Sequence, residues 1–294
     1  MSNFSSVQAA PVAVNVTVFN ISSILGVVSL TLIVATAYFS STVRRSDLWY
    51  RHIIAWIVYN TAFLVLIGHQ GDPDPPFGLC FFQAALIYAV PTFPTLSAFC
   101  FVADLYIRLS AVLFNKRKIR PALKTFLGLF PLIVLGCVFI VAMGLVVDPQ
   151  TVGFEENHLY CHDSTSIQAT ITGAIIIMTG FLIFPLEIWI AVVLYRNWRS
   201  FRGSRSPDQH LFLTMFIRMV LFTIISMLGV GLSSYSFGSS TAFNPYWTRL
   251  VLTIVPIIAA ITFGSQEDIM RSWIFWREPP LNVSKPEKEA DVSV

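Results

Sequence analysis

Charged residues are scarce in this sequence, and their scarcity limits the class of protein before any motif is considered. Asp, Glu, Lys and Arg make up 12% of the 294 residues, whereas soluble domains carry about 25%. Hydrophobic residues make up 55%, and the mean hydropathy is +0.70. Because so few charged residues cannot cover the surface of a soluble domain, the composition predicts an integral membrane protein.

Signatures of catalysis are also lacking. The sequence contains no Gly-x-Ser-x-Gly, no His-Glu-x-x-His and no Gly-x-x-x-x-Gly-Lys. Residues 246–265 hold no lysine, which excludes the Schiff base of a retinal protein. The tails and loops outside the apolar runs are short and leave no room for a soluble catalytic domain. We therefore expect a protein that is not an enzyme, binds no cofactor and has no nucleic-acid partner.

Long apolar runs dominate what is present. A membrane-spanning helix needs about 20 mainly apolar residues. Seven such runs are found, at roughly 18–42, 50–70, 80–111, 123–147, 167–196, 209–233 and 246–265. The sequence predicts an all-α integral membrane protein in which a seven-transmembrane helix bundle occupies residues 18–265.

The basic residues predict the orientation of this bundle. All but two of the 19 Lys and Arg residues lie between runs one and two, three and four, or five and six, or after run seven. The exceptions are Arg218 and Arg249. Lys and Arg near spans stay cytoplasmic, so we expect the amino terminus outside, in the plasma membrane. Residues 1–17 lack the basic start of a signal peptide and form an extracellular tail, whose sequons at Asn3 and Asn15 predict glycosylation.

Two further segments follow the seventh run. In residues 266–277, Ile269, Met270, Trp273 and Trp276 fall on one helical face and polar residues on the other, which is typical of an amphipathic helix in the membrane interface. Residues 278–294 are polar and predict a disordered cytoplasmic tail.

The pattern as a whole resembles a G-protein-coupled receptor. Cys80 opens the third run, and Cys161 is the cysteine of the second outer loop. Asp104-Leu105-Tyr106 ends the third run at the spacing where rhodopsin-like receptors carry Asp-Arg-Tyr. Pro185 and Pro256 also lie where the family places prolines in its fifth and seventh helices. The resemblance implies a Cys80–Cys161 disulfide, and the alternative from the residues themselves is a pair of free thiols.

The chain departs from the receptor pattern at several motifs. Leu105 stands where the family has arginine, and Arg108, one turn later, is a candidate substitute in a switch cluster with Asp104 and Tyr106. The seventh run keeps only Pro256 of Asn-Pro-x-x-Tyr, and the sixth has no proline. The sequence is thus similar to a divergent receptor of the kind expanded in fungi. Asp104 and Arg108 can equally be interfacial polar residues that end a span.

Two charges fall inside apolar runs. Glu187 follows Pro185 in run five, and Arg218 lies in run six, each about the same distance from the predicted inner boundary. A buried charge in a membrane costs several kcal/mol unless it is paired, and consecutive spans are usually neighbours. We predict an ion pair between Glu187 and Arg218. The alternative is an Arg218 side chain that extends to the inner headgroups.

Polar residues near the outer ends suggest where a ligand would enter. The candidates for this mouth are His69, Gln70, Gln83 and Arg249, although the same residues can simply line a hydrated rim. His158, Cys161 and His162 have the residue types of a metal site but lack defined partners, so no metal is expected.

The resulting hypothesis is a cell-surface receptor for an extracellular ligand that signals through a heterotrimeric G protein on its basic cytoplasmic loops, as the resemblance implies. The alternatives are a small-solute transporter or channel, which needs polar groups across the midplane and usually an internal repeat, and a structural membrane protein. The identities of the ligand and the G protein are not encoded in recognisable motifs.

Overall fold

The structure is a computed structural model and describes residues 4–40, 43, 45–70, 75–113, 121–145, 151–154, 159–164, 166–196, 213–226 and 245–273. Within these ranges the structure describes only the backbone of residues 4–13, 112, 113, 166 and 245–249.

The described residues are mostly helical. In chain order the helices are α1 (Phe4–Phe39), α2 (Asp47–Phe63), α3 (Phe77–Ala89), α4 (Thr92–Leu113), α5 (Pro121–Leu145), α6 (Ser166–Arg196), α7 (Leu213–Ser226), α8 (Pro245–Gly264) and α9 (Glu267–Trp273). Two short strands, β1 (Val152–Phe154) and β2 (Cys161–Asp163), lie between α5 and α6.

Each predicted apolar run contains a described helix. Four stretches of the described chain are long and apolar enough to cross a membrane, and a fifth is added if the bent pair α8–α9 counts as one span. The four are Val14–Phe39, Phe77–Ala111, Pro121–Leu145 and Ile167–Arg196. Helix α2, with 17 residues, and the described part of α7 are shorter than these spanning candidates.

The third apolar run is broken where its prolines lie. Helix α3 ends at Ala89, and α4 begins at Thr92, because Pro91 and Pro94 have no N–H to donate to the carbonyls one turn before them. Three hydroxyl groups donate to carbonyls of this break: Thr92 to Ala89, Thr95 to Pro91, and Ser97 to Pro94, at 2.7, 2.8 and 3.0 Å. The chain is thus interrupted at residues 90 and 91, between two helices that together form one spanning candidate, Phe77–Ala111.

This broken run lies at the centre of the bundle. Of its most apolar window 67% is buried, against 28% for each of the other three spanning candidates. Helix α4 packs against α2, α5 and α6, while α1 packs against α2 and α8. The outward faces of α5 and α6 remain apolar; Ile140, Met178 and Phe181 are each about 70% exposed. Such faces need a nonaqueous surrounding.

A small antiparallel sheet corrects the purely α-helical prediction. Strands β1 and β2 pair with Val152 opposite Asp163 and Phe154 opposite Cys161. The segment is too short and too rich in loop residues to give a period-two pattern in the sequence. Cys161 of β2 is joined to Cys80 of α3, which places the sheet beside that helix.

A sharp bend separates α8 from α9. The two helices meet at 86° around Ser265 and Gln266. The helix predicted over 266–277 is therefore present as Glu267–Trp273, and residues 274–277 lie outside the described residues. Ile269 is fully buried against the bundle, whereas Met270 and Trp273 of the predicted apolar face are each 40% exposed.

Candidate functional site

The expected disulfide between Cys80 and Cys161 is present. It joins the first turn of α3 to β2, with the two Cα atoms 5.3 Å apart. Gln83, one turn after Cys80, strengthens this connection: its Oε1 accepts a hydrogen bond from the Cys161 backbone N–H at 2.9 Å, and its Nε2 donates to the Ala62 carbonyl at 3.2 Å. One side chain therefore ties the loop to both α2 and α3.

The loop residues before Cys161 are buried among the helix ends. Leu159 is fully buried, and Tyr160 packs its ring on Phe19 of α1 and Phe63 of α2, with ring centres 6.2 and 5.8 Å apart. Gln70 donates to the Leu159 carbonyl at 2.7 Å. Residues 159–163, named the outer cap after the predicted orientation, contact α1 at Phe19, the end of α2 at Phe63 and the first turn of α3 at Cys80.

The residues predicted to form a ligand mouth are not gathered at one surface. Gln70 and Gln83 are buried and hold the outer cap, whereas His69 is exposed. The side chain of Arg249 lies outside the described residues. Because the amides of Gln70 and Gln83 are used by backbone groups, the structure corrects their assignment to an open mouth.

The structure also locates some of the predicted glycosylation sites and of the three residues of metal-ligand type, for which no metal is expected. Asn15 is part of α1 and half-buried, and Asn3 lies outside the described residues. Of the three metal-type residues, Cys161 is used in the disulfide, and His158 lies outside the described residues.

A fully buried histidine, His52, connects α2 to α4, and the sequence analysis missed it. The indole Nε1–H of Trp56 points to His52 Nε2 at 3.3 Å, and His52 Nδ1 lies 3.1 Å from Ser97 Oγ. If Nε2 accepts, the proton is on Nδ1, which then donates to Ser97. Ser97 in turn donates to the Pro94 carbonyl. The chain of hydrogen bonds is complete with a neutral imidazole.

Aromatic rings from three helices surround this imidazole. Phe101 of α4 is stacked on it, and Phe222 of α7 and Phe263 of α8 meet it edge-on, with ring centres between 5.6 and 6.2 Å away. His52 therefore touches α4, α7 and α8 from its place on α2. A polar residue inside an apolar run is a functional signal, and that signal was available in the sequence.

The predicted ion pair between Glu187 and Arg218 is not formed. Glu187 is buried, and its Oε1 accepts from the Thr223 hydroxyl of α7 at 2.9 Å. Thr223 lies five residues beyond Arg218, about 7.5 Å further along the helix. The prediction assumed that the two charges have equal depth, and the depth of Glu187 matches that of Thr223 instead.

Arg218 binds the end of a different helix. It donates to the Thr262 carbonyl, and to the hydroxyl and carbonyl of Ser265 at 2.7 and 3.0 Å. The last carbonyls of a helix have no partner within that helix, and its dipole is negative at this end. Arg218 therefore caps α8 at the bend before α9.

A second arginine, Arg45 in the segment before α2, binds α9 directly. The Arg45 side chain is fully buried, and its Nη2 donates to Asp268 at 2.7 Å and to Gln266. Trp273 at the end of α9 donates its Nε1–H to Thr36 of α1 at 2.7 Å. The α8–α9 bend is thus fixed to α1, to α7 and to the residues before α2.

The three residues of the predicted switch cluster all lie on α4, and the ring of Tyr106 contacts a second helix. Arg108 Nε lies 2.8 Å from Asp104 Oδ2 in the next turn of α4, and Asp104 is 1% exposed. Tyr106 packs on Trp189 of α6 with ring centres 4.4 Å apart. Arg108 therefore satisfies Asp104 within α4, and Tyr106 makes the contact to a second helix.

No model of a known protein family matches this chain, and no curated protein was found to be similar to it.

Proposed function

We propose that the chain is a seven-helix receptor of the plasma membrane that binds an extracellular ligand and signals through a heterotrimeric G protein. The observation that carries this proposal is the buried bond between His52 and Ser97. It fixes α2 to the proline-broken run, and rings of α7 and α8 pack on the same imidazole. A change in the bend of the broken run would therefore alter the packing of both helices.

The outer cap supplies a means of starting such a change. Residues 159–161 are tied covalently to α3 through Cys80, and Tyr160 packs on α1 and α2. In the proposed mechanism the ligand contacts the cap or displaces Tyr160, and α3 moves with it. Ala89 and Val90 join α3 to the break, so the movement changes the bend next to Ser97.

The opposite end of the bundle supplies the response. Arg218 of α7 holds the last carbonyls of α8, and Arg45 holds Asp268 of α9. These contacts are polar and few, so a shift of α7 relative to α8 would change them first. The basic loops at this end are where the G protein is expected to bind.

Seven crossings and an outside amino terminus are part of the proposal. The confinement of nearly all Lys and Arg residues to alternate loops and the carboxyl-terminal tail supports them. Asn15 lies at the start of the apolar stretch Val14–Phe39, so glycosylation is expected at Asn3. Glycosidase should shift the mobility of the expressed protein, and Asn3→Gln should abolish that shift. A carboxyl-terminal tag that protease removes from intact cells would contradict the orientation.

Nucleotide exchange is the direct test of coupling. The full chain, reconstituted in nanodiscs, is mixed with purified heterotrimeric G proteins of each class, and uptake of a GTP analogue is measured. We expect uptake above that of empty nanodiscs with at least one class, and loss of it when Lys116, Arg117 and Lys118 are replaced by glutamine. If neither the wild type nor Ser97→Ala, which loosens the central contact, accelerates uptake, G-protein coupling is disproved.

A further inference from the structure

A groove on the side of the bundle has the properties of a lipid site. It lies between α1, α2, α4 and α5 and has a volume of about 520 Å³, which is within the usual range of small-molecule sites, about 300–1,000 Å³. Phe93, Ser97 and Cys100 form its buried floor. The proposed signalling function uses Ser97 only and assigns no ligand to this groove.

The groove opens on an apolar side of the bundle. Tyr38, Ile54 and Leu132 line it and are 73%, 41% and 43% exposed. These side chains belong to three different helices, and their exposed faces continue the outward apolar surface of the bundle. In a chain embedded in a bilayer, a molecule enters such an opening from the hydrocarbon phase.

The charged end of the groove is rich in cations. Asp47 and Arg51 line it, and Lys124 of α5 forms an ion pair with Asp47 at 2.7 Å. The hydrogen bond from Lys124 lowers the pKa of the Asp47 carboxyl from 3.8, and Arg51 and Arg108 add to the effect. Three cations thus act on one carboxylate here. Asp104 pairs with Arg108, which leaves an excess of positive charge.

Arg51 lies at the edge of the groove with N–H groups beyond the one that binds α5, and these could donate to a ligand. Its Nη1 donates to the Gly128 carbonyl at 2.9 Å, and a guanidinium has five N–H groups. Residue 128 is a glycine, and a Cβ there would lie 3.0 Å from the Arg51 Cζ. The absence of that Cβ lets the guanidinium lie flat against α5 at the edge of the groove.

We propose that this groove binds an acidic phospholipid, with its phosphate on Arg51 and Lys124 and one acyl chain along Ile54, Phe93 and Leu132. Planar guanidinium groups bind phosphate oxygens in pairs, and basic pockets between membrane helices suit lipid headgroups. The acyl chain fills the apolar part of the groove. The inference is independent of G-protein coupling and requires only that the chain is embedded in a bilayer.

Native mass spectrometry of the full chain in detergent measures this binding directly. Phosphatidate, phosphatidylcholine with the same acyl chains, and glycerol 3-phosphate are titrated separately. We expect phosphatidate to bind at least about tenfold more tightly than phosphatidylcholine, since one charge-assisted contact corresponds to about that factor. Glycerol 3-phosphate, which lacks acyl chains, should not displace phosphatidate at equal concentration. If it does, the site accepts soluble phosphate and the proposal of a lipid is overturned.

Variants separate the two parts of the site. Arg51→Gln should weaken phosphatidate binding about tenfold and phosphatidylcholine binding less, because the choline cation offsets the single charge of the phosphatidylcholine phosphate. Ile54→Trp, which fills the apolar part without changing charge, should weaken both lipids. The matched control is Arg271→Gln, because Arg271 is an exposed arginine on α9 that pairs with Glu267. Equal binding of the two lipids to the wild type, or equal effects of Arg51→Gln and Arg271→Gln, would overturn the proposal. If Arg51→Gln does not fold, phosphatidate binding is measured with Ile54→Trp and Arg51→Lys instead. Unchanged phosphatidate binding in both variants would contradict the proposed site.

Discussion

The Nδ1 atom of His52 lies 3.1 Å from the Oγ atom of Ser97, and this bond joins the buried face of α2 to the first turns of α4 after the proline break. The imidazole and the hydroxyl are each 3% exposed or less, so neither group can exchange this partner for water. The orientation of α2 against α4 is therefore specified by a polar contact inside an otherwise apolar core.

Ser97→Ala should destabilise the protein more than a comparable change nearby. The His52 N–H loses its acceptor in a buried site, which typically costs about 1–3 kcal/mol. The matched control is Thr95→Ala, because Thr95 donates to the Pro91 carbonyl within the same break. Thermal unfolding in detergent compares the two variants. Equal losses would mean that the bond to His52 adds nothing.

Gln83→Met should loosen the outer cap while leaving the disulfide in place. The Cys161 N–H then loses its acceptor, and its backbone hydrogen should exchange about tenfold faster, as expected for the loss of one hydrogen bond. Gln168→Met is the control, since Gln168 donates to Asp163 and Ala142. Hydrogen exchange at Cys161 that is equally fast in both variants would contradict a specific role for Gln83.

Arg45→Gln should release α9 from the bundle. The Arg45 side chain is fully buried and holds both Asp268 and Gln266, and removal of one partner of a largely buried pair is destabilising. Hydrogen exchange of residues 267–273 should accelerate by well over tenfold. Arg271→Gln is matched in chemistry but removes an exposed pair within α9, which is worth at most about 1 kcal/mol. Similar exchange in the two variants would show that Arg45 does not hold α9.

The positions of the helices could be predicted from the sequence because their signal is local. Apolar runs of sufficient length, the prolines at 91 and 94, and the amphipathic pattern after Gly264 each act within a few residues. The same is true of the Arg108–Asp104 pair, one turn apart. The disulfide was implied by a family pattern and not by local chemistry.

Contacts between distant residues could not be predicted in this way. The bond of Gln83 to Cys161 and the bond of His52 to Ser97 depend on how helices rotate about their axes, which apolar composition leaves undetermined. With apolar residues on all sides, a helix such as α6 gives no preferred face. Depth estimates counted from the ends of apolar runs fail for the same reason: they put Glu187 level with Arg218, whereas Glu187 contacts Thr223.

Glu187 and Thr223 should be energetically coupled, and Glu187 and Arg218 should not. The Thr223 hydroxyl donates to Glu187, whereas Arg218 donates to Thr262 and Ser265 at the end of α8. In a double-mutant cycle, Glu187→Met with Thr223→Val should show an interaction of about 1 kcal/mol or more, because Met has no carbonyl oxygen and both single changes remove the same hydrogen bond.

The same cycle with Arg218→Gln distinguishes this arrangement from an ion pair. Glu187→Gln and Arg218→Gln should add to within about 0.5 kcal/mol, since they share no partner. The charge swap Glu187→Arg with Arg218→Glu should recover nothing, because it puts a carboxylate against the carbonyls of α8 and a guanidinium against Thr223. Recovery by the swap, or an interaction above about 1 kcal/mol, would mean that the two charges meet in a state other than the one described. Such a state would have to move α7 along α6 by more than one helical turn, because about 7.5 Å separates the depths of residues 218 and 223.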